Sequence, residues 1–121
     1  MRNVIVLAFV LVFNVGCSQK KEKHITEVSQ NELENVVLVD VRTPEEYNVG
    51  HLDKALNINW FDEDFEAQFS TIDKQETIYL YCKAGGRSQK ATEKLKALGY
   101  SKVVNLVGGY DAWKAHIKST D

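Results

Sequence analysis

The sequence predicts one α/β domain built on a largely parallel sheet. A continuous β-branched apolar run, VVLVDV at 36–41, reads as a strand buried on both faces, which is the habit of parallel sheets covered by helices. A second apolar run, ETIYLYC at 76–82, reads as another strand and stops on a cysteine. Strand signals alternate with helix signals along the rest of the chain, the pattern of strands joined by helical crossovers. A length of 121 residues suffices for one such domain with a single core.

Taken in order, HITEV (24–28) is a short first strand, and SQNEL follows with Ser29 and Glu32 at capping-box spacing, so a short helix begins there. After the 36–41 strand, Thr43 is placed as an N-cap, Pro44 as the first helical residue, and Glu46 completes the box. KALNIN supplies a short strand around Ala55–Ile58. Phe61, Phe65 and Phe69 are spaced by four and predict one apolar helix face. Beyond Cys82, a helix from about Ser88 carries Ala91, Leu95 and Leu98 on one side and ends at Gly99. KVVNL (102–106) is a further strand, and GGYDAWKAHI opens a last helix after a glycine turn. This order puts Cys82 at the carboxyl edge of the sheet, where parallel sheets bind their ligands.

The N-terminus belongs to a different category. Arg2 precedes an apolar run from Val4 to Val15, shorter than the roughly 20 residues a spanning helix needs. It suits the core of a secretory signal. NVGC, with Gly16 before Cys17, and the polar SQKKEK that follows resemble a bacterial lipoprotein signal. That resemblance implies a signal peptide at 1–16, lipidation of Cys17, a flexible linker at 17–23 and a folded domain at 24–118. An ordinary secretory signal with an incidental Cys17 is the alternative. The expected location is the bacterial cell envelope, facing the periplasm, with the membrane reached through the lipid only.

Composition excludes several classes. With 44% hydrophobic and 26% charged residues and a net charge of −2, the chain is globular, lacks a basic stripe for nucleic acid and has no acidic tail. Only Cys17 and Cys82 are present, so a lipidated Cys17 leaves Cys82 unpaired in an oxidising compartment. A leftover thiol there is a candidate reactive group, although free cysteine is also an ordinary core residue. Three histidines show no ligand spacing with the cysteines, and no metal or other cofactor is expected.

The loop CKAGGRS sharpens the candidate. Backbone N–H groups of a tight strand-to-helix loop converge into an anion nest, and the helix that follows adds its positive end. Gly85 and Gly86 allow the φ values and close approach such a loop needs. A sulfur at its centre has its pKa pulled down. Lys83 and Arg87 add positive charge; Arg87 can grip an anion with two bonds. Ser88 either donates to the sulfur or caps the helix.

CKAGGRS closing a strand, preceded by VVLVDVRTPEEYNVGHLDKALNI and followed by NLVGGYDAW, resembles the single-domain rhodanese-like proteins. The resemblance implies a five-stranded, mostly parallel sheet with helices on both faces. It also implies sulfur transfer through a persulfide on Cys82, with Lys83, Ala84, Gly85, Gly86, Arg87 and Ser88 forming the substrate cradle. Asp40 and Arg42 would border the site by the same resemblance; as plain chemistry they are equally a local salt bridge. His51, in GHLDKA, is a turn residue by resemblance rather than a base. Four residues separate Cys82 from Arg87, where the related dual-specificity phosphatases and cysteine-based arsenate reductases carry five. The shorter loop favours a sulfur atom over a phosphate. The expected donor is a small anion such as thiosulfate and the acceptor cyanide or a thiol; a monomer is expected. A sulfur carrier or interaction module without turnover is the alternative function.

Overall fold

A computed structural model of the chain describes residues 22–120. The elements are β1 (Glu22–His24), a 3-10 turn (Ile25–Glu27), α1 (Gln30–Glu34), β2 (Val37–Asp40), α2 (Pro44–Val49), β3 (Leu56–Asn57), α3 (Phe65–Phe69), β4 (Ile78–Tyr81), α4 (Gly86–Ala97), β5 (Val103–Val107) and α5 (Gly109–Ser119). The strands form one sheet in the order β1-β5-β4-β2-β3, and every pairing is parallel. The expectation of a mostly parallel sheet is thus met by a wholly parallel one. The segment 1–16, Cys17 and the first part of the expected linker lie outside the described residues.

Side-chain alternation along the strands builds two cores. Val39, Ile78, Leu80, Cys82 and Val103 face one side, where Phe65 and Phe69 of α3 and Ala91 and Leu95 of α4 cover them. Leu38, Tyr81 and Leu106 face the other side, with Leu33 of α1 and with Tyr110 and Trp113 of α5. Central β4 is therefore apolar on both faces, which is why IYLY shows no polar alternation.

The helix signals act as the sequence implies. Ser29 accepts from the Glu32 N–H, and Thr43 and Glu46 form a complete capping box with Pro44 in the first turn. At the far end of α4, Gly99 donates to the Lys96 carbonyl and Tyr100 to that of Leu95, the bonds that close a helix in the Schellman manner.

Expectations fail at the edges of β1 and α3. The first strand is Glu22–His24 and not 24–28, because the His24 ring accepts from the Thr26 N–H and turns the chain at once, burying Ile25. Helix α3 starts at Phe65, so Phe61 is not on its face. The Phe61 N–H bonds the Asn59 side chain in a local turn, and the ring is 65% exposed.

Candidate active site

Cys82 is the first residue beyond β4, and its thiol is 2% exposed on the α3/α4 side of the sheet. The loop after it is shorter than expected. Helix α4 begins at Gly86 with Gly85 as N-cap, so Ser88 stands inside the first turn and is not the cap. Gly85 holds φ of +118°, a conformation open to glycine at little cost. Its N–H donates to Cys82 Sγ at 2.9 Å. Gly86 takes no such conformation; a Cβ built on it meets nothing within 4 Å, so the chain is open to solvent there.

The Ser88 hydroxyl lies 3.4 Å from Cys82 Sγ and 3.2 Å from the Gly85 carbonyl oxygen. A hydroxyl has one proton to donate, so these two acceptors share it. Burial pushes the Cys82 thiol up, but the Ser88 hydroxyl and the N–H groups of Ser88, Gly85 and Ala84 outweigh it and hold the thiol below its ordinary value. The thiolate is stabilised by dipoles aimed at the sulfur. Helix α4, which has no acidic residue in its first turn, adds its positive end.

A second loop holds the first from behind. The Tyr110 N–H donates to the Cys82 carbonyl at 2.8 Å, and the Asp111 N–H to that of Lys83 at 3.1 Å. A Cβ at Gly109 would stand 2.5 Å from both of those carbonyl oxygens, so only glycine fits. The segment NLVGGYDAW, read from the sequence as a strand end and the opening of the last helix, is also a clamp on the cysteine peptide. Its signal was the paired glycine at a helix start, which leaves N–H groups free to bind something.

The charged groups are arranged differently from expectation. Both fork nitrogens of Arg87 are taken by Glu46, at 2.7 Å and 3.0 Å, and Phe61 lies 5.7 Å from the guanidinium. The Arg87 bonds, against a partial burial penalty, hold the Glu46 carboxyl at about 2, with help from Thr43. Lys83 meets Asp111 at 2.6 Å on the exposed surface. Asp40 and Arg42 form a buried bidentate pair, with Arg42 also donating to the Gly50 carbonyl at 2.7 Å. Arg42 lies 4.2 Å from the Tyr110 ring centre and so belongs to the face of the sheet opposite Cys82. The pair ties β2 to α5, away from the sulfur. His51 stacks on Tyr47 and bonds its carbonyl, as a turn residue would. Glu46 and Asp111 are the site residues the sequence reading missed, because their partners are 41 and 28 residues away.

Comparison with known proteins identifies the family and the fold. Residues 25–116 match the rhodanese-like domain. A sulfurtransferase of Allochromatium vinosum is 39% identical over 83 residues, covering 69% of this chain and 76% of that protein. An adenylyltransferase and sulfurtransferase of Candida albicans is 35% identical over 104 residues, but the chain spans only 23% of it. The solution structure of a rhodanese-like domain from Anabaena superposes with a TM-score of 0.70 at 26% identity, covering 79% of this chain and 74% of that one. The chain belongs to the rhodanese-like family, and the general chemistry that comes with that membership is sulfur transfer.

Proposed function

We propose that Cys82 carries sulfane sulfur as a persulfide between a donor and a nucleophilic acceptor. The observation that carries the reading is the cradle: a buried sulfur at a helix N-terminus with a hydroxyl and loop N–H groups directed at it. In the first half-reaction the thiolate attacks the outer sulfur of the donor, and the donor's S–S bond breaks. With thiosulfate as donor, sulfite leaves with that bond's electron pair. The persulfide anion keeps its charge within reach of the same N–H groups. In the second half-reaction cyanide or a thiol takes the terminal sulfur and the Cys82 thiolate returns. Arg87 serves this scheme through Glu46, fixing the loop to α2, rather than by gripping the donor.

Intact mass spectrometry of the reduced protein after exposure to thiosulfate and, separately, to cysteine persulfide tests the reading. One added sulfur atom is expected with at least one donor, absent in Cys82→Ser and discharged by cyanide. No addition from either donor would end the proposal, and loading without discharge would make the protein a carrier.

The domain is further proposed to act at the cell envelope, tethered through Cys17 and the linker that follows. Labelling with a palmitate analogue should mark the wild type and not Cys17→Ala; an unlabelled wild type would overturn the anchor.

A further inference from the structure

We propose that Glu46 and Asp111 are specificity-determining residues that turn the site away from dianionic donors and toward the persulfide of a thiol, R–S–SH, an inference that rests on the sulfur-transfer reading above. Two cations flank the sulfur loop, Lys83 and Arg87, and each is matched by one carboxylate. The buried Arg42 is likewise matched by Asp40. These paired side chains therefore contribute no net positive charge, on a chain whose own net charge is −2. Electrostatic capture of a small dianion needs an unbalanced field, and a close ion pair offers only a short-ranged one.

The Arg87 pair is the harder to displace. Its carboxylate also accepts from the Thr43 N–H at 3.2 Å and the Thr43 hydroxyl at 3.0 Å, both at Oε1, the oxygen that Arg87 Nη1 reaches, within the capping box of α2. A donor reaching for the guanidinium fork would have to replace two charge-assisted bonds at 2.7 Å and 3.0 Å to a carboxylate that is fixed in place. What remains for binding is the N–H cradle, which one sulfur atom fills, and the exposed Phe61 ring beside Arg87, which suits an organic body rather than a sulfonate.

A persulfide meets those terms. The Cys82 thiolate attacks the outer sulfur of R–S–SH, a new S–S bond forms and the original one breaks. The R–S⁻ group leaves with that bond's electron pair and takes up the proton of the transferred sulfur. One R–SH is released, Cys82 holds the persulfide anion, and no external oxidant or reductant is consumed.

Single-turnover loading of the full chain, followed by intact mass, measures the second-order rates with thiosulfate and with cysteine persulfide. The wild type is expected to load faster from the persulfide, and its thiosulfate rate should change little between about 0.01 and 0.15 M salt. Glu46→Gln keeps a residue able to complete the capping box and frees the Arg87 fork. It should raise the thiosulfate rate relative to the persulfide rate about tenfold, with a new salt dependence in the thiosulfate rate alone. Asp111→Asn, on the exposed pair, should move thiosulfate in the same direction by less. A wild type that prefers thiosulfate, or Glu46→Gln and Asp111→Asn variants that lower or preserve both rates alike, would overturn the inference while leaving sulfur transfer intact. Failure to load from either donor would sink the transfer reading itself, and the inference with it.

Discussion

Two helices of this domain start in the same way and do different things with the start. Both α4 and α5 follow a glycine N-cap in the left-handed region, begin on a second glycine, and lack a side-chain cap. The N–H groups at the head of α4 converge on a sulfur atom, whereas those of α5 bond two backbone carbonyls of the first loop. Helix α5 also carries Asp111 in its first turn to complement its positive end, while α4 has no acidic residue there. One helix start is satisfied by the fold; the other is completed by whatever charge Cys82 carries. A glycine pair before a helix is thus a scaffold or a site according to what its donors face.

Replacing the glycines should separate the two roles. The largest effect is expected from Gly109→Ala, since its Cβ would stand 2.5 Å from backbone that cannot withdraw cheaply. A loss of about 2–4 kcal/mol in urea unfolding follows from overpacking together with an unfavourable φ of +62°. A near-normal urea midpoint would show that the clamp is dispensable. A Cβ in Gly85→Ala meets only the Gly108 nitrogen, at an ordinary 3.8 Å, but the residue must hold φ of +118°, so about 1–2 kcal/mol is expected, with a disproportionate loss of sulfur loading because the N–H aimed at Sγ shifts.

Ser88→Ala probes the site's electrostatics with little effect on folding. Removing the hydroxyl takes away a contribution that lowers the Cys82 pKa, so the thiolate forms at higher pH. The acid limb of the loading rate against pH should move upward, and an unmoved limb would assign that hydroxyl to the Gly85 carbonyl alone. Gly86→Ala should do least to stability, changing it by no more than about 1 kcal/mol, because the position is helical and open. Any slowing of loading there would report donor approach.

Local signals were read well from the sequence. Cysteine placement at the carboxyl edge, the Thr43–Glu46 box and the Gly99 helix end each depend on residues a few positions apart. Pairings across the fold were not readable. Glu46 was legible as a cap and illegible as the partner of Arg87, since nothing in TPEEY says which loop will stand beside it. Arg87 and Lys83 were expected to wait for an anion, but charged side chains near a sheet edge meet whichever carboxylates the topology delivers. Phe61 shows the converse error, in which a helical spacing of four was broken by an Asn59 side chain that captured the Phe61 N–H.

The single hydroxyl proton of Ser88 has one more consequence. It has two acceptors within reach, the sulfur and the Gly85 carbonyl. While the negative charge sits on Sγ, the proton turns inward. If the proposed persulfide forms, the charge moves to the outer sulfur and the Gly85 carbonyl becomes the stronger competitor for that proton. On that proposal, Ser88 would answer a change of charge at the sulfur by rotating one O–H bond.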